Sequence, residues 1–371
     1  MDFTALVEWL DSHAYELDSG SIDSGQVLSR LASADVLRIG VSRVWGGHGK
    51  TLADAVEALS MVAAHSMKAA LVLWGQRAFI EYLLYSSNGS LREKLLPSLL
   101  DGKLAGTVGF SNAVRFLSGQ GPLAVRSKLI RGGWRLNGDL RAVTHLRPRN
   151  FVIATAVDSD EGGNAFVVAV SCSCAGLRHS DDLSFTETQP GRLASLNFND
   201  VKVGSEWIVH EDAQRFLRSV RPGLLGLQCG FSMGLAQRAL QEVERLQKNR
   251  PVLLDALMLQ RQRLGQDACE LKSGLLDGRF RTDPLPLFKL KIALTQSATD
   301  ALELERQALQ AVSGEGGQSG FLRRWRESNF VATIIPSLAQ LSSQLSNDAT
   351  PEGSAMSGYR QANAGEQSLA E

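Results

Sequence analysis

The chain of 371 residues has only four cysteines, and they are widely scattered. Four thiols at such spacings are too few for the disulfide framework of a secreted protein. The one close pair, Cys172 and Cys174, lies in the segment FVVAVSCSCAG, which alternates like a β-strand. The sequence therefore predicts reduced thiols and a cytoplasmic protein.

Long apolar runs and an excess of either charge are also absent. No stretch approaches the roughly 18 apolar residues of a membrane span. The start, MDFTALVEWLDSHAYELDSG, lacks the basic and apolar regions of a signal peptide. Because 39 basic residues balance 39 acidic ones, we expect neither a nucleic-acid partner nor a membrane partner.

Motifs for metal binding or nucleophilic catalysis are missing as well. The six histidines form no HExxH motif and no Cys/His ligand spacing, and no G-x-S-x-G motif occurs. The segment WGGHGK lacks the spacing of a phosphate-binding loop and is interpreted as a turn between helices. The basic segment FLRRWRE is interpreted as a solvated helix face.

The pattern of apolar residues changes twice along the chain. Residues 1–103 show apolar residues at helical spacing and predict an N-terminal helical domain. Residues 104–211 carry short runs rich in Val, Ile, Thr and Phe between turn signals, which predict a middle antiparallel β domain. Residues 212–345 predict a C-terminal four-helix bundle, and residues 346–371 a disordered tail. The fold class is α+β, mostly α.

Six segments, in this order, resemble the acyl-CoA dehydrogenase superfamily of flavoproteins over residues 40–341. Each segment is short, but six in the right order are specific to the superfamily. They are VSRVWGGHG, LREKLLPSLLDGKLAGTVGFSNA, GGWRLNGDLRAVTH, RLASLNFNDVKV, GLAQRALQEVERLQKNR and QAVSGEG. The resemblance implies that FAD lies between the β domain and the bundle. It also implies a homo-oligomer, a dimer or more usually a tetramer, in which a neighbouring subunit completes the cofactor site.

The resemblance further implies which residues contact the flavin ring. Phe110 and Ser111 match the family's flavin-contacting loop. Val143 and Thr144 match a segment in which a backbone amide and a hydroxyl donate hydrogen bonds to the isoalloxazine edge. Such donors favour charge on the reduced flavin, so they tune the cofactor rather than carry out the chemistry.

Five other residues match the family's binding site for the phosphates of FAD. Arg250 corresponds to an arginine that pairs with pyrophosphate across the subunit interface. Gln310, Ser313, Gly314 and Gly316 match a glycine turn whose backbone amides approach the same phosphates. A plain helix-ending turn is the alternative interpretation of these glycines.

Three departures from the family pattern concern the cofactor. A stacking tryptophan is replaced by Ala142, a Glu-Pro pair by Asn112–Ala113, and a Phe-Gly pair by Leu253–Leu254. These departures leave the affinity for the cofactor and the identity of the flavin open: the resemblance implies FAD, and FMN is the alternative if the protein is a monooxygenase.

A fourth departure concerns the catalytic base. Alignment places Ile335 at the family's usual glutamate, Pro336 at the glycine that follows it, and Leu224 at the alternative base position. The absence of a positioned base costs proton abstraction roughly 10² to 10⁴ in rate. Glu315 and Glu327 are the remaining candidates, and the catalytic residue stays unassigned.

Three functions are compatible with this pattern. The first is FAD-dependent two-electron oxidation of an acyl thioester at the α,β position, with an electron-transfer flavoprotein as partner. The second is a flavin monooxygenase of the same fold, which takes reduced flavin from a partner reductase and uses oxygen, so that no carboxylate is needed. The third is a non-catalytic homologue that acts as a partner subunit.

Overall fold

The computed structural model describes residues 3–144, 149–160, 162–179, 193–247, 253–311 and 318–348. Helices occupy the first hundred residues, as the apolar spacing predicts. Their bounds are α1 (Thr4–Ser12), α2 (Ala14–Ser19), α3 (Ser24–Ser33), α4 (Leu52–His65), α5 (Met67–Tyr85) and α6 (Gly89–Leu100).

Helix α5 is the central helix of this region. Its sequence, MKAALVLWGQRAFIEYLLY, is apolar on almost every side, and nearly all of its residues are buried, as expected of a helix surrounded by protein. Ser66 caps its first turn by accepting a hydrogen bond from the Ala69 amide. The preceding helix α4 begins with a capping box formed by Thr51 and Asp54.

The strands lie between Ala105 and His210 and form one mixed sheet. Their order is β6-β7-β3-β2-β4-β5-β8, and β1 pairs with β4. The elements are β1 (Ala105–Val108), α7 (Phe110–Leu117), β2 (Val125–Ile130), β3 (Gly133–Thr144), β4 (Phe151–Ser159), β5 (Phe166–Ser171), β6 (Leu177–His179), β7 (Leu193–Val203) and β8 (Ile208–His210).

The sheet departs from the predicted antiparallel β domain at one strand. Strand β4 pairs in parallel with both β1 and β2, whereas the other pairings are antiparallel. Alternation of apolar residues indicates a strand and its buried face, but it does not encode the direction of the neighbouring strand.

The chain returns to helices after β8. They are α8 (Ala213–Gln247), α9 (Leu254–Asp277), α10 (Arg279–Thr282), α11 (Leu285–Ala311), α12 (Gln318–Thr333) and α13 (Leu338–Asp348). The last predicted bundle helix is divided in two, because Pro336 has no amide hydrogen and cannot continue α12. Helix α13 extends to Asp348, three residues beyond the predicted end of the bundle.

Helix α8 joins the three parts of the molecule. It packs against α4 and α5 of the N-terminal region and against α9 and α11 of the bundle. One continuous cluster of buried apolar residues runs through the helices and the sheet. Pro222, inside α8, leaves the carbonyl of Arg218 without its usual helical donor. No helix in the described ranges combines the length and apolarity needed to cross a membrane.

Candidate functional site

The two positions at which the resemblance places a catalytic base lie on segments that a side-chain hydrogen bond joins. Leu224 is fully buried on α8. Gln228, one turn further along the same helix, donates a hydrogen bond from Nε2 to the carbonyl of Ile335 at 3.0 Å. The Ile335 side chain packs against the core. The helix that carries Leu224 is thus bonded to the backbone of Ile335, and both residues are aliphatic where the family pattern has its glutamates.

A buried lysine contacts both Gln228 and the backbone next to Ile335. Lys291 on α11 is 2% exposed, and its Nζ donates to Gln228 Oε1 at 2.6 Å and to the carbonyl of Pro336 at 2.8 Å. Burial lowers the pKa of Lys291 to about 7, because desolvation disfavours the charged ammonium. The Lys291 amine and the Gln228 amide together bind the segment between α12 and α13 to the other bundle helices.

Sequence reasoning missed Lys291, although a signal for it exists. In the segment LPLFKLKIALT, Lys291 occurs in helical register with the buried residues Leu287 and Leu294. A lysine on the apolar side of an amphipathic helix is rarely buried unless it has specific partners. The helical register of Lys291 with these two leucines therefore predicts, from the sequence alone, that Lys291 is an interior residue.

An aromatic group closes the other side of the site. Trp74 on α5 donates from Nε1 to the carbonyl of Leu224 at 3.3 Å. Its ring meets Phe110 edge-on with centroids 5.6 Å apart, and it lies 6.5 Å from the ring of Phe231. Phe110, a predicted flavin contact, is thus part of the same region as Leu224. Trp74 was not among the predicted site residues.

The first predicted flavin segment lies at the start of α7. Phe110 is the first residue of this helix and is buried, while Ser111 is partly exposed. The amides of a first helical turn have no partners within the helix and are available to an acceptor. A Cβ added at Gly109 would lie 2.8 Å from Thr155 Oγ1, so a glycine is needed for this close approach of the chain to β4.

The second predicted flavin segment lies at the end of β3, beside the first. The methyl group Cδ1 of Leu140 would lie 3.4 Å from the added Cβ at Gly109, and α7 packs on β3. The ladder between β3 and β7 shifts register between Leu140 and Val143, an irregularity that interrupts regular pairing. Val143 is buried, and the backbone of Thr144 ends β3, while its side chain lies outside the described residues.

The predicted phosphate contacts fall mostly outside the described residues. These are Arg250, Ser313, Gly314 and Gly316, together with the candidate base Glu315. Gln310 is exposed at the end of α11. Helices α11 and α12, which flank the glycine turn, are joined by a buried two-point contact: Arg324 donates from Nε and Nη2 to the two carboxylate oxygens of Glu305.

Glu327 lies in a cluster of its own rather than beside Leu224. It packs on the start of α5, where the Met67 amide donates to it, and shares a small polar cavity with Asp18 and Arg323. The start of α5 is two helical turns before Trp74. Burial raises the pKa of Glu327 to about 7. These contacts indicate a structural role and give no support to Glu327 as the replacement base.

The raised pKa of Glu327 predicts a pH-dependent stability. Because its native pKa of about 7 exceeds the ordinary 4.5, the folded state binds more protons than the unfolded state between these values, and its stability falls as pH rises through this window. We expect this loss to be about 2–3 kcal/mol, and Glu327→Gln to remove it. Urea unfolding of both proteins across that range measures the difference. Parallel pH profiles for the two would contradict the prediction.

No group of three His, Cys, Asp or Glu side chains in the described residues is placed to hold a metal ion. All four cysteines are free thiols.

Comparisons with solved structures identify the architecture. A glutaryl-CoA dehydrogenase in complex with glutaryl-CoA superposes with a TM-score of 0.76, at 14% identity over 94% of this chain and 96% of that one. Butyryl-CoA dehydrogenase from Megasphaera elsdenii superposes with a TM-score of 0.69, at 14% identity over 92% of this chain and 98% of that one. The chain has the acyl-CoA dehydrogenase fold.

Proteins of other descriptions share the acyl-CoA dehydrogenase fold with this chain. PigA, solved with FAD and proline, superposes with a TM-score of 0.73 at 14% identity, over 94% of this chain and 99% of that one. No protein-family model and no curated protein matches the sequence. At these identities the likeness concerns the fold, which confirms the predicted α+β, mostly helical class.

Proposed function

We propose that the protein is an FAD-dependent oxidoreductase that oxidises an acyl thioester at the α,β position. The observation that supports this best is the cradle formed by the start of α7 and the end of β3. The two flavin segments, predicted from distant parts of the sequence, lie on elements that pack together. Gly109 provides the close approach there.

The residues present fit a flavin ring at this cradle. Phe110 and Ser111 would contact the ring, and Val143 and Thr144 would donate hydrogen bonds to its edge through a backbone amide and a hydroxyl. A bound flavin supplies two-electron redox chemistry. Gln310 and the glycine turn with Ser313, Gly314 and Gly316 would hold the phosphates, with Arg250 reaching across a subunit interface.

The chain's own residues shape the reacting position. Trp74, Phe110 and Leu224 form an apolar wall that excludes water and strengthens electrostatic interactions near it. Ile335 and Leu224 offer no group that can take a proton. Lys291 is the titratable group joined to this position, through Gln228 and the carbonyl of Pro336.

A monooxygenase that uses oxygen and reduced flavin is the second candidate. The observation that favours it is the aliphatic identity of Leu224 and Ile335 at the two positions where the resemblance places the carboxylate of a dehydrogenase. A dehydrogenase would deliver electrons to an electron-transfer flavoprotein, whereas a monooxygenase would receive reduced flavin, FAD or FMN, from a reductase. A non-catalytic homologue is the third possibility.

We also propose a cytoplasmic homo-oligomer, a dimer or a tetramer. Exposed apolar side chains are consistent with a contact between copies of the chain. On α9 these are Leu254, Met258 and Leu259, each about half exposed, and on α12 they are Leu322 and Trp325.

The test is a visible spectrum of the purified protein, with added FAD if it is colourless, followed by anaerobic addition of acyl-CoA thioesters. We expect bound flavin to bleach with a thioester if the protein is a dehydrogenase. Oxygen consumption only with supplied reduced flavin would identify the monooxygenase instead. A colourless protein that binds no added flavin would overturn both proposals.

A further inference from the structure

Arg221 and Lys291 are neighbouring cations for which the described residues provide no carboxylate partner. Arg221 lies half-buried on α8 and donates from Nη2 to Gln344 Oε1 on α13 at 2.9 Å. Its guanidinium lies 4.5 Å from the centroid of the Phe288 ring on α11. Lys291 contacts only an amide oxygen and a backbone carbonyl. Buried charges in proteins are normally paired, so this arrangement is unusual.

Two hydrogen-bond donors at the same place also have no acceptor. Arg221 Nε and Gln344 Nε2 are both buried, and neither has a hydrogen-bond partner in the described part of the chain. A buried donor without an acceptor is costly. The two donors belong to side chains that already contact each other, so one acceptor with two oxygen atoms could satisfy both after small rotations.

The electrostatic environment also favours an anion. Burial lowers the pKa of Arg221 to about 10, and the exposed Arg218 acts in the same direction. Burial and Arg221 together lower the pKa of Lys291, opposed by the Cys229 thiol. Three basic residues therefore follow one another from the surface inward: Arg218 is exposed, Arg221 lies next, and Lys291 contacts the carbonyl of Pro336.

We propose that the junction of α8, α11 and α13 binds a carboxylate group, held by Arg221 and Gln344 and faced by Lys291. A guanidinium and an amide match the planar, two-oxygen geometry of a carboxylate. The Phe288 ring offers an apolar surface that suits an organic acid better than a hydrated inorganic ion. The assignment of this carboxylate to a second carboxyl group on the acyl chain of the thioester rests on the proposed function; the binding itself does not.

Isothermal titration calorimetry of the full chain with butyrate, and with the uncharged butyramide, tests the site. Below the pKa of Lys291 we expect one butyrate to bind per chain and butyramide not to bind. Arg221→Met should weaken butyrate binding by about tenfold or more, because a hydrogen bond to a charged group is lost. Arg263→Met, which removes an exposed arginine on α9, is the matched control and should bind like the parent protein.

A pH series gives a second readout. An anion stabilises the ammonium form of Lys291, so binding should take up a proton, and affinity should fall as pH rises through about 7. The other groups that face Lys291 are Arg221, with a pKa of about 10, and the Cys229 thiol, with a pKa of about 12. Because neither titrates in that window, Lys291→Met should abolish the pH dependence.

Equal affinities for butyrate and butyramide, or unchanged butyrate binding by Arg221→Met, would overturn the proposal. A second variant, Gln344→Met, covers the case in which Arg221→Met fails to fold. It removes the unpaired amide donor and should also weaken butyrate binding. Near-ultraviolet circular dichroism should show that its fold stays native. The titrations contain no flavin and no turnover. A failure to bind butyrate is therefore distinct from a failure to bind flavin, which the visible spectrum reports.

Discussion

Replacing Arg324 by methionine is expected to lower the free energy of unfolding by about 3–5 kcal/mol. Glu305, its partner, is 1% exposed and would be left as a buried carboxylate without its two-point contact. Burial already raises the pKa of Glu305, and Arg324 opposes that shift. Urea unfolding followed by circular dichroism measures the loss. Because this pair joins α11 to α12, which flank the predicted phosphate contacts, Arg324→Met should also lower the affinity for FAD.

The double replacement Arg324→Met with Glu305→Leu separates the charge effect from lost packing. Removing both charges should recover most of the stability, since a buried pair can often be replaced by apolar residues at little cost. Arg261 contacts Glu244 by a similar two-point geometry on the surface, so Arg261→Met should cost less than about 1 kcal/mol. A double variant as unstable as the single one would contradict the argument.

Replacing Gly234 by alanine is expected to destabilise the fold by about 3 kcal/mol or more. A Cβ at this position of α8 would lie 2.1 Å from the carbonyl oxygen of Ser60 and 2.8 Å from the Ala63 Cβ, both on α4. These are backbone and near-backbone atoms that cannot rotate away, so the helices must separate. The change would also move Leu224 and Gln228, which α8 carries into the candidate site. Thermal and urea unfolding measure the effect.

A glycine elsewhere in the bundle provides the matched control. A Cβ added at Gly265 on α9 would meet no atom within 4 Å. Gly265→Ala should therefore stabilise the protein by about 0.5–1 kcal/mol, through the higher helix propensity of alanine. Similar effects at both glycines would show that propensity, rather than the contact of α4 with α8, determines the result at Gly234.

Local patterns were sufficient where the structure depends on neighbours in the chain. The run LAVRSKLIRGGWRLNGDL predicts a hairpin, and β2 pairs antiparallel with β3, with Ile130 opposite Gly133. Helical spacing predicts the helices of the N-terminal region and the bundle. The division between α12 and α13 could have been predicted from Pro336, but the apolar run around it reads as one continuous helix.

The sequence by itself determined the fold class, the order of helical and strand regions, and the aliphatic identity of Leu224 and Ile335. Only the tertiary structure decided that Gln228, one turn after Leu224, bonds the carbonyl of Ile335, that β4 has parallel neighbours, and that Lys291 is buried with an amide and a carbonyl as partners. The reason is physical. Periodicity reports which side of an element is apolar, whereas contacts between α8, α11 and the segment before α13 depend on how whole elements pack.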